Sequence, residues 1–255
     1  MDGIHMTDGN TLAELVWHEY DSRSELSNDL AARIANLLST AQANYDQSIV
    51  AFSGGSTPQA MFQALAKESV NWSKTLMTLV DERWVAPDHD LSNQRFITEN
   101  LLNQLSPQPR FAPLYFADEN PAKSLTKVAQ GFDQMVESSI RKTHFDAVVL
   151  GMGGDGHTAS FFPDAENIET LVTYDSARRL ETCESPTTQV ARVTWSLSAL
   201  LDSAFLALHI TGKDKRGVLE GALALDNASL PDLAALPIRS VLFQQKLPLH
   251  IFYAD

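Results

Sequence analysis

Asp155, Gly156 and His157 are the residues of this sequence best suited to proton transfer. The unperturbed pKa of a histidine side chain is about 6.5, so an imidazole can accept and return a proton near neutral pH. A carboxylate two residues away can fix the tautomer of the ring or stabilise its charged form. The alternative is that Asp155 only caps a turn while His157 packs. We predict that His157 is a general base and Asp155 its partner, because glycine-rich loops after buried strands often carry function.

The glycines around His157 nearly match two nucleotide-binding motifs. Gly151, Gly153 and Gly156 satisfy G-x-G-x-x-G, but a dinucleotide site needs a long helix directly afterwards, and Pro163 interrupts the chain soon after Gly156. The P-loop pattern needs a lysine where His157 stands. The sequence therefore does not favour nucleotide binding.

A second glycine-rich segment, Gly54, Gly55, Ser56 and Thr57, could bind an anion. Two glycines allow close approach to the backbone, and the hydroxyls and free N–H groups suit a phosphate. The same residues fit a tight turn in which Ser56 caps the following helix and Pro58 lies in its first turn. Both interpretations stay open from this segment alone, because helix capping and anion binding use the same groups.

An anionic ligand needs a dedicated cationic pocket in this chain, which has 19 Lys and Arg against 32 Asp and Glu and a net charge of −13. Arg83, Arg192 and Lys213 are the candidates, since they form one pocket if the predicted strands converge. We expect Lys215 and Arg216 to lie on the solvated face of the helix that follows.

Composition excludes several classes of partner. An acidic chain with no dense run of Lys and Arg is not expected to bind nucleic acid or an anionic membrane surface. The single cysteine, Cys183, and the scattered histidines form no set with metal-ligand spacing, so no metal is expected. A small molecule is the expected partner, and no obligate protein partner is implied.

Short apolar runs alternate with amphipathic segments along the chain. Strands are predicted near Ser48–Phe52, Thr75–Val80, Phe145–Leu150, Val190–Trp195, Ala204–Ile210 and Leu249–Tyr253. Helices are predicted over Ser22–Ala43, Pro58–Lys67, Asn93–Leu102, Ala122–Arg141 and Lys213–Leu223. This alternation predicts an α/β fold, a Rossmann-like, doubly wound and largely parallel sheet with helices on both faces.

The segments whose residues could bind a ligand or catalyse a reaction follow predicted strands. They are 53–58, 81–84, 151–158 and 211–213. Because ligands of such sheets bind outside the carboxyl ends of the strands, we expect all four segments at one edge of the sheet.

Length and the absence of linkers predict a single α/β domain over residues 11–255, preceded by a disordered or cloning-derived tail at 1–10. No apolar stretch approaches the roughly 18 residues needed to span a bilayer, and the first residues lack the regions of a signal peptide. A lone cysteine fits a reducing compartment. We therefore expect the protein in the cytoplasm.

These motifs, in this order, resemble those of the 6-phosphogluconolactonase family. They are GGSTP at 54–58, DERWV at 81–85 with SN at 92–93, GMGGDGHTAS at 151–160 with FP at 162–163, RVT at 192–194 and TGK at 211–213. Each motif alone is modest, but the ordered set is specific and covers essentially the whole chain.

Two positions separate the sequence from glucosamine-6-phosphate deaminases, which are similar in fold to that family. The deaminases usually continue the Asp-Gly-His turn with a glutamate before a proline, whereas Phe162 precedes Pro163 here. Arg83 stands where the deaminases tend to carry tyrosine. Phe161, often leucine in the lactonases, is a conservative departure. Both differences from the deaminases favour the lactonase.

The resemblance implies hydrolysis of 6-phospho-D-glucono-1,5-lactone to 6-phosphogluconate, a carboxylic ester hydrolysis of the oxidative pentose phosphate pathway, without metal or cofactor. His157 would activate water and Asp155 would orient it. Backbone N–H groups of the glycine turns or Arg83 would stabilise the oxyanion.

The phosphate of such a substrate would be a remote handle. The candidates to hold it are Ser56, Thr57, Arg192 and Lys213. Two rival functions stay open. A deaminase or isomerase would use Asp81 or Glu82 as a base, and a non-catalytic sensor would bind a sugar phosphate without turnover.

Overall fold

The computed structural model of the chain describes residues 12–117, 120–137, 144–174, 179–188, 190–224 and 232–255. The tail predicted at 1–10 lies outside these residues, and so does the end of the helix predicted over Ala122–Arg141. Within the described ranges, no helix combines the length and the apolar character needed to cross a membrane.

A seven-stranded sheet dominates the described structure. Its strands are β1 (Leu15–Tyr20), β2 (Ser48–Phe52), β3 (Thr75–Leu79), β5 (Arg110–Ala112), β6 (Ala147–Leu150), β9 (Leu206–Thr211) and β10 (Leu249–Ala254). They lie in the order β1-β10-β9-β6-β2-β3-β5, and each neighbouring pair is parallel. The prediction of a Rossmann-like α/β fold with a largely parallel sheet is confirmed.

A small antiparallel sheet was not predicted. It consists of β4 (Asp81–Arg83), β8 (Arg192–Trp195) and β7 (Leu180–Cys183), in that order. The strand predicted near Val190–Trp195 belongs to this second sheet, and no strand was predicted at 81–84. Three residues that are all charged do not resemble a strand, and a four-residue apolar run does not reveal which sheet it joins.

The helices agree with the predicted ones where these are long. They are α1 (Arg23–Tyr45), α2 (Gln59–Leu65), α3 (Asn93–Asn100), α4 (Pro121–Met135), α5 (Ile168–Val172), α6 (Leu197–Leu201), α7 (Lys213–Leu223) and α8 (Arg239–Leu242). The sequence did not reveal α5, α6 and α8, because segments of four or five residues are too short to display a helical period.

Helix α1 illustrates how the sequence sets these elements. Ser22 accepts a hydrogen bond from the backbone N–H of Glu25 and so caps the first turn. Apolar side chains at three- and four-residue spacing, among them Leu26, Leu30 and Ile34, are fully buried on the face toward the core.

The register of the large sheet brings the carboxyl ends of its central strands together. Phe52 of β2 lies beside Leu79 of β3 and Val149 of β6, and Leu150 of β6 lies beside Leu208 of β9. All five residues of β2 are buried, as in a central strand covered on both faces. The segments that follow β2, β3, β6 and β9 therefore begin at one edge of the sheet, as predicted.

Candidate active site

A cavity of about 230 Å³ opens at this edge. Its lining residues come from both sheets and from the loops between them. They are Ser53, Gly54, Gly55, Ser56, Thr57, Asp81, Arg83, Asn93, Gly151, Met152, Gly153, His157, Ala159, Arg192 and Lys215. The structure thus brings together the predicted glycine loop, the predicted base and the two predicted arginines.

Two larger depressions elsewhere offer fewer side chains that could bind an anion or transfer a proton. One, of about 640 Å³, is lined by polar and acidic residues including Glu166 and Glu184, without a histidine or a cation. The other, of about 600 Å³, contains Arg95, but that side chain is already paired with Asp90 and Glu99. We therefore place the candidate site in the smaller cavity.

The glycine loop after β2 is held against the turn that follows β6. The backbone N–H of Ser53 donates to the carbonyl oxygen of Val149 at 2.9 Å, and Ser53 Oγ accepts from the N–H of Gly151 at 3.2 Å. Gly54 has no room for a side chain, since a Cβ there would lie 2.0 Å from Oδ1 of Asn93. Glycine at this position lets the loop, the turn and α3 meet.

The interpretation of Ser56 as a helix cap is wrong. Helix α2 has Pro58 at its N-cap and no side-chain capping hydrogen bond, and Ser56 is exposed at the cavity. Among the described residues, the backbone N–H groups of 54–57 donate no hydrogen bond. The loop therefore presents free N–H donors and hydroxyls to a ligand, an arrangement that suits an anion.

His157 and Asp155 form a close pair in the turn after β6. Nδ1 of His157 lies 2.5 Å from Oδ1 of Asp155, and the same oxygen accepts the backbone N–H of His157 at 3.2 Å. The hydrogen bond with His157 lowers the pKa of Asp155, so this carboxyl group is ionised at neutral pH. An ionised acceptor requires the proton on Nδ1 and leaves Nε2 as the basic nitrogen of the ring.

The turn fixes the imidazole from several sides. A Cβ on Gly153 would lie 2.2 Å from ring atoms of His157, so glycine is needed there. Phe162 packs against the imidazole with its ring centre 4.4 Å away. Gly156 has a positive φ of 77° and accepts a hydrogen bond from the N–H of Ile238 at 2.8 Å.

The small sheet contributes two arginines. Arg83 in β4 and Arg192 in β8 are direct partners in the antiparallel register, an unfavourable position for two like charges. Arg192 lies 3.5 Å from Oδ2 of Asp81 and stacks on Phe162 at 4.7 Å. Burial lowers its pKa, and the Asp81 carboxylate raises it. Both side chains line the cavity, and Nε of each arginine is buried without a hydrogen-bond partner among the described residues.

The structure does not bring Lys213 into the cavity. Its side chain is 81% exposed and lies 3.7 Å from the carboxylate of Asp255. Lys215 lines the cavity instead, and its Nζ donates to Oγ1 of Thr57 at 3.3 Å. Burial lowers the pKa of Lys215. The prediction that Lys215 faces solvent is therefore wrong.

Helical periodicity contained the signal that identifies the correct lysine. Residues two apart on a helix point about 200° away from each other, so Lys213 and Lys215 cannot share a face. Lys215 precedes the buried Leu219 by four residues and the buried Ala222 by seven, which places it on the inward face of α7. Arg216, as expected, lies at the surface, where it pairs with acidic side chains.

Asp81 and Asn93 also line the cavity and were not among the predicted binding residues. Asp81 is buried, and its Oδ2 accepts a hydrogen bond from Ser160 Oγ at 2.6 Å. Asp81 directly follows the predicted strand Thr75–Val80, and this position could have identified it as a cavity residue. Asn93 reaches the cavity from the start of α3, and its place in the SN pair at 92–93 was the signal for it in the sequence.

Cys183 is not suited to act as a nucleophile. It is buried, and burial raises its pKa to about 11, so its thiol is protonated at neutral pH. Among the described residues, no group of three or more His, Cys, Asp or Glu side chains is placed to hold a metal ion.

Comparison with known proteins adds to this geometry. Residues 21–247 match the family described as glucosamine-6-phosphate isomerases/6-phosphogluconolactonase. The 6-phosphogluconolactonase of Rhizobium meliloti is 38% identical over 237 residues, which cover 93% of this chain and 97% of that protein. The crystal structure of a 6-phosphogluconolactonase from Shewanella baltica has a TM-score of 0.83 and 35% identity, covering 95% of this chain and 98% of that one.

A monomeric glucosamine-6-phosphate deaminase shares the fold, with a TM-score of 0.66 over 93% of this chain and 97% of its own. Its sequence is 17% identical, so that likeness concerns the fold alone. The family match and the 38% identity to the Rhizobium meliloti relative show more. This chain belongs to the family of glucosamine-6-phosphate isomerases and 6-phosphogluconolactonases.

Proposed function

We propose that this chain hydrolyses 6-phospho-D-glucono-1,5-lactone to 6-phospho-D-gluconate, the reaction denoted by the name of its relatives. The observation that supports this most directly is the composition of one cavity. An imidazole paired with a carboxylate shares it with two arginines and a lysine. A lactone with a phosphate needs both a base for water and cations for the phosphate.

In this mechanism Nε2 of His157 accepts a proton from a water molecule as the water oxygen bonds to C1 of the lactone. The carbonyl electron pair moves to its oxygen and gives a tetrahedral intermediate. When the intermediate collapses, the bond between C1 and the ring oxygen breaks, and the imidazolium returns the proton to that oxygen. Asp155 keeps the ring in the required tautomer and stabilises its charged form.

The oxyanion of the intermediate needs donors that are in place before the reaction. Arg83 and the backbone N–H groups of the glycine turns are our candidates, and such a donor typically contributes about 3 kcal/mol to transition-state stabilisation. Arg83 already donates from Nη1 to the carbonyl oxygen of Leu91 at 2.6 Å, which holds its guanidinium in one orientation.

We assign the substrate phosphate to the glycine loop. Ser56 and Thr57 offer hydroxyls there, and Lys215 adds a positive charge within hydrogen-bond reach of Thr57. Lys215 thus takes the role that we predicted for Lys213, and Arg192 stays a candidate for the same group. Because only the lactone end reacts, the phosphate provides binding energy that orients the ester.

A deaminase or isomerase of the same family would need Asp81 or Glu82 as a base. Glu82 does not line the cavity, and both of its carboxylate oxygens already accept hydrogen bonds. Asp81 lines the cavity, but Ser160 and Arg192 engage its carboxylate. The chain also lacks a glutamate before Pro163. These observations favour the lactonase.

One assay separates the three functions. The lactone is generated in situ, and acid release above the spontaneous rate is followed for the wild type and for His157→Ala. We expect the wild type to exceed the spontaneous rate and the variant to lose about 100- to 10,000-fold in rate. Ammonia release from glucosamine 6-phosphate would instead identify a deaminase.

Lactone turnover at the spontaneous rate, with binding of 6-phosphogluconate, would identify a sensor. An unimpaired His157→Ala variant would contradict the mechanism. Activity should also fall on acidification, because a protonated imidazole cannot accept a proton.

We further propose that the reaction takes place in the cytoplasm, where the single thiol of Cys183 would stay reduced.

A further inference from the structure

Glu82 is buried beside the cavity without lining it. Glu82 is 1% exposed. Each of its carboxylate oxygens accepts two hydrogen bonds. Oε1 accepts from the backbone N–H groups of Arg83 at 2.7 Å and Asn93 at 2.8 Å. Oε2 accepts from Ser92 Oγ at 3.0 Å and from the N–H of Gln94 at 2.7 Å.

A buried carboxylate is stable only when donors replace its lost water. Burial raises the pKa of Glu82, and the four donors oppose that effect by favouring the charged form. The donors belong to two places in the chain, the end of β4 and the start of α3. The carboxylate therefore ties these two segments together and closes the loop over residues 84–91.

Two cavity groups depend on that connection. Arg83 donates from Nη1 to the carbonyl oxygen of Leu91 within the closed loop. Asn93 donates from Nδ2 to the carbonyl oxygen of Asp81 at 2.9 Å, and its Oδ1 occupies the space beside Gly54. A shift of the start of α3 would therefore move a guanidinium, an amide and the wall of the glycine loop together.

We propose that Glu82 is a positioning residue that holds Arg83 and Asn93 in the orientation that the reaction needs. It never contacts the substrate, and it acts through the hydrogen bonds that join β4 to α3. The role in catalysis rests on the proposed function, because Arg83 is our oxyanion donor. The role in ligand binding does not depend on turnover.

The test replaces the carboxylate by an amide of the same shape. In Glu82→Gln an NH₂ group faces N–H donors and cannot accept their hydrogen bonds. The connection between β4 and α3 is therefore weakened. The matched control is Asp146→Asn. Asp146 is also buried and accepts a backbone N–H, from Ile49 at 2.6 Å, but it precedes β6 at the opposite edge of the sheet. Readouts are Tm, kcat and KM for the lactone, and Kd for 6-phosphogluconate by calorimetry.

We expect both variants to lower Tm and only Glu82→Gln to affect the site. Its kcat should fall at least about tenfold, because the oxyanion donor is displaced, and its Kd for 6-phosphogluconate should rise. The double variant Glu82→Gln/Arg83→Gln should lose less kcat than the product of the two single losses, since part of the effect of Glu82 acts through Arg83.

A Glu82→Gln variant that loses Tm like the control but keeps kcat and Kd within twofold of the wild type would overturn the proposal. Full additivity with Arg83→Gln would do the same. If Glu82→Gln does not fold, Ser92→Ala removes one donor to the carboxylate and should lower kcat in the same direction. If the wild type binds 6-phosphogluconate without hydrolysing the lactone, the proposed function fails, while the Kd comparison still decides the role of Glu82.

Discussion

The two sheets contribute different chemistry to one cavity. Loops and a helix after strands of the large parallel sheet provide the glycine loop, the base His157 and Lys215. The small antiparallel sheet provides Arg83, Arg192 and the carboxylate of Asp81. In the first region the backbone sets the geometry, since glycines allow contacts that no other residue permits. In the second, side chains hold one another.

This difference matches the needs of the two kinds of group. A base must present one nitrogen in one tautomer, and a rigid turn with a neighbouring carboxylate provides that. A cation for an anionic ligand needs charge and free donors within reach. Arg192 obtains its position from Asp81 and Phe162, and its charge lies at the cavity. We therefore expect the large sheet to be sensitive to added volume and the small sheet to lost charge.

Among the changes that compare the two sheets, adding one methyl group to the turn of the large sheet should have the largest effect. In Gly153→Ala the new Cβ would lie 2.2 Å from the imidazole, so His157 must leave its position. We expect kcat/KM to fall on the order of 100-fold, as for displaced catalytic groups. Gly154→Ala is the matched control, because a Cβ there meets no atom within 4 Å. Equal activity of the two variants in the lactone assay would show that the turn is not rigid.

Removing a charge from the small sheet should have the next largest effect. Arg192→Met keeps much of the side-chain volume but removes the guanidinium, and charged hydrogen bonds of this kind correspond to about 10- to 100-fold in affinity. We expect this loss mainly in KM for the lactone, with kcat less affected. Arg33→Met removes an exposed arginine that pairs with Asp29 and does not line the cavity, and it should leave KM unchanged. A loss confined to kcat would instead assign Arg192 to the reacting end.

A smaller effect should separate the two lysines of α7. Lys215→Met should raise KM about tenfold, because it removes one cation from the glycine loop. Lys213→Met should leave KM unchanged, since that side chain is exposed beside Asp255. Steady-state kinetics at low and high salt would measure both. The reverse ranking would restore the role that we first predicted for Lys213.

The last prediction concerns stability in acid rather than activity, and there the two sheets should differ again. Burial lowers the pKa of His209 in β9 to about 4, and it also lowers the pKa values of His18 and His250. The unfolded chain takes up protons below about pH 6.5, whereas folded His209 does so only near pH 4. The free energy of unfolding should therefore fall as pH drops through this window, by at most about 3 kcal/mol for His209.

Urea unfolding of the wild type and of His209→Gln at several pH values measures this effect. The slope of the free energy of unfolding against pH should be shallower in the variant between about pH 6.5 and 4. The strands of the small sheet contain no histidine, so the difference belongs to the large sheet. Identical slopes would show that His209 does not contribute.

The sequence revealed the large-sheet half of the site well. Glycines next to Ser, Thr, Asp and His after apolar runs are local signals, and they located the glycine loop and the turn with His157. The small-sheet half depends on pairing between distant segments. Nothing near Arg192 indicates that it lies opposite Arg83, and nothing near Asn93 indicates contact with Gly54. The error between Lys213 and Lys215 was different in kind, because helical periodicity could have prevented it.

The order of strands has a consequence for how a newly made chain matures. β1 is the edge strand of the large sheet, and its neighbour is β10, the last strand, so Leu15 pairs with Leu249. β1 therefore leaves the ribosome long before its partner β10, and their pairing is a slow, non-local contact. Ile238, whose N–H bonds the turn beside His157, also arrives late. We expect nascent chains to gain activity only after β10 has been synthesised, because β1 then has its partner in the sheet.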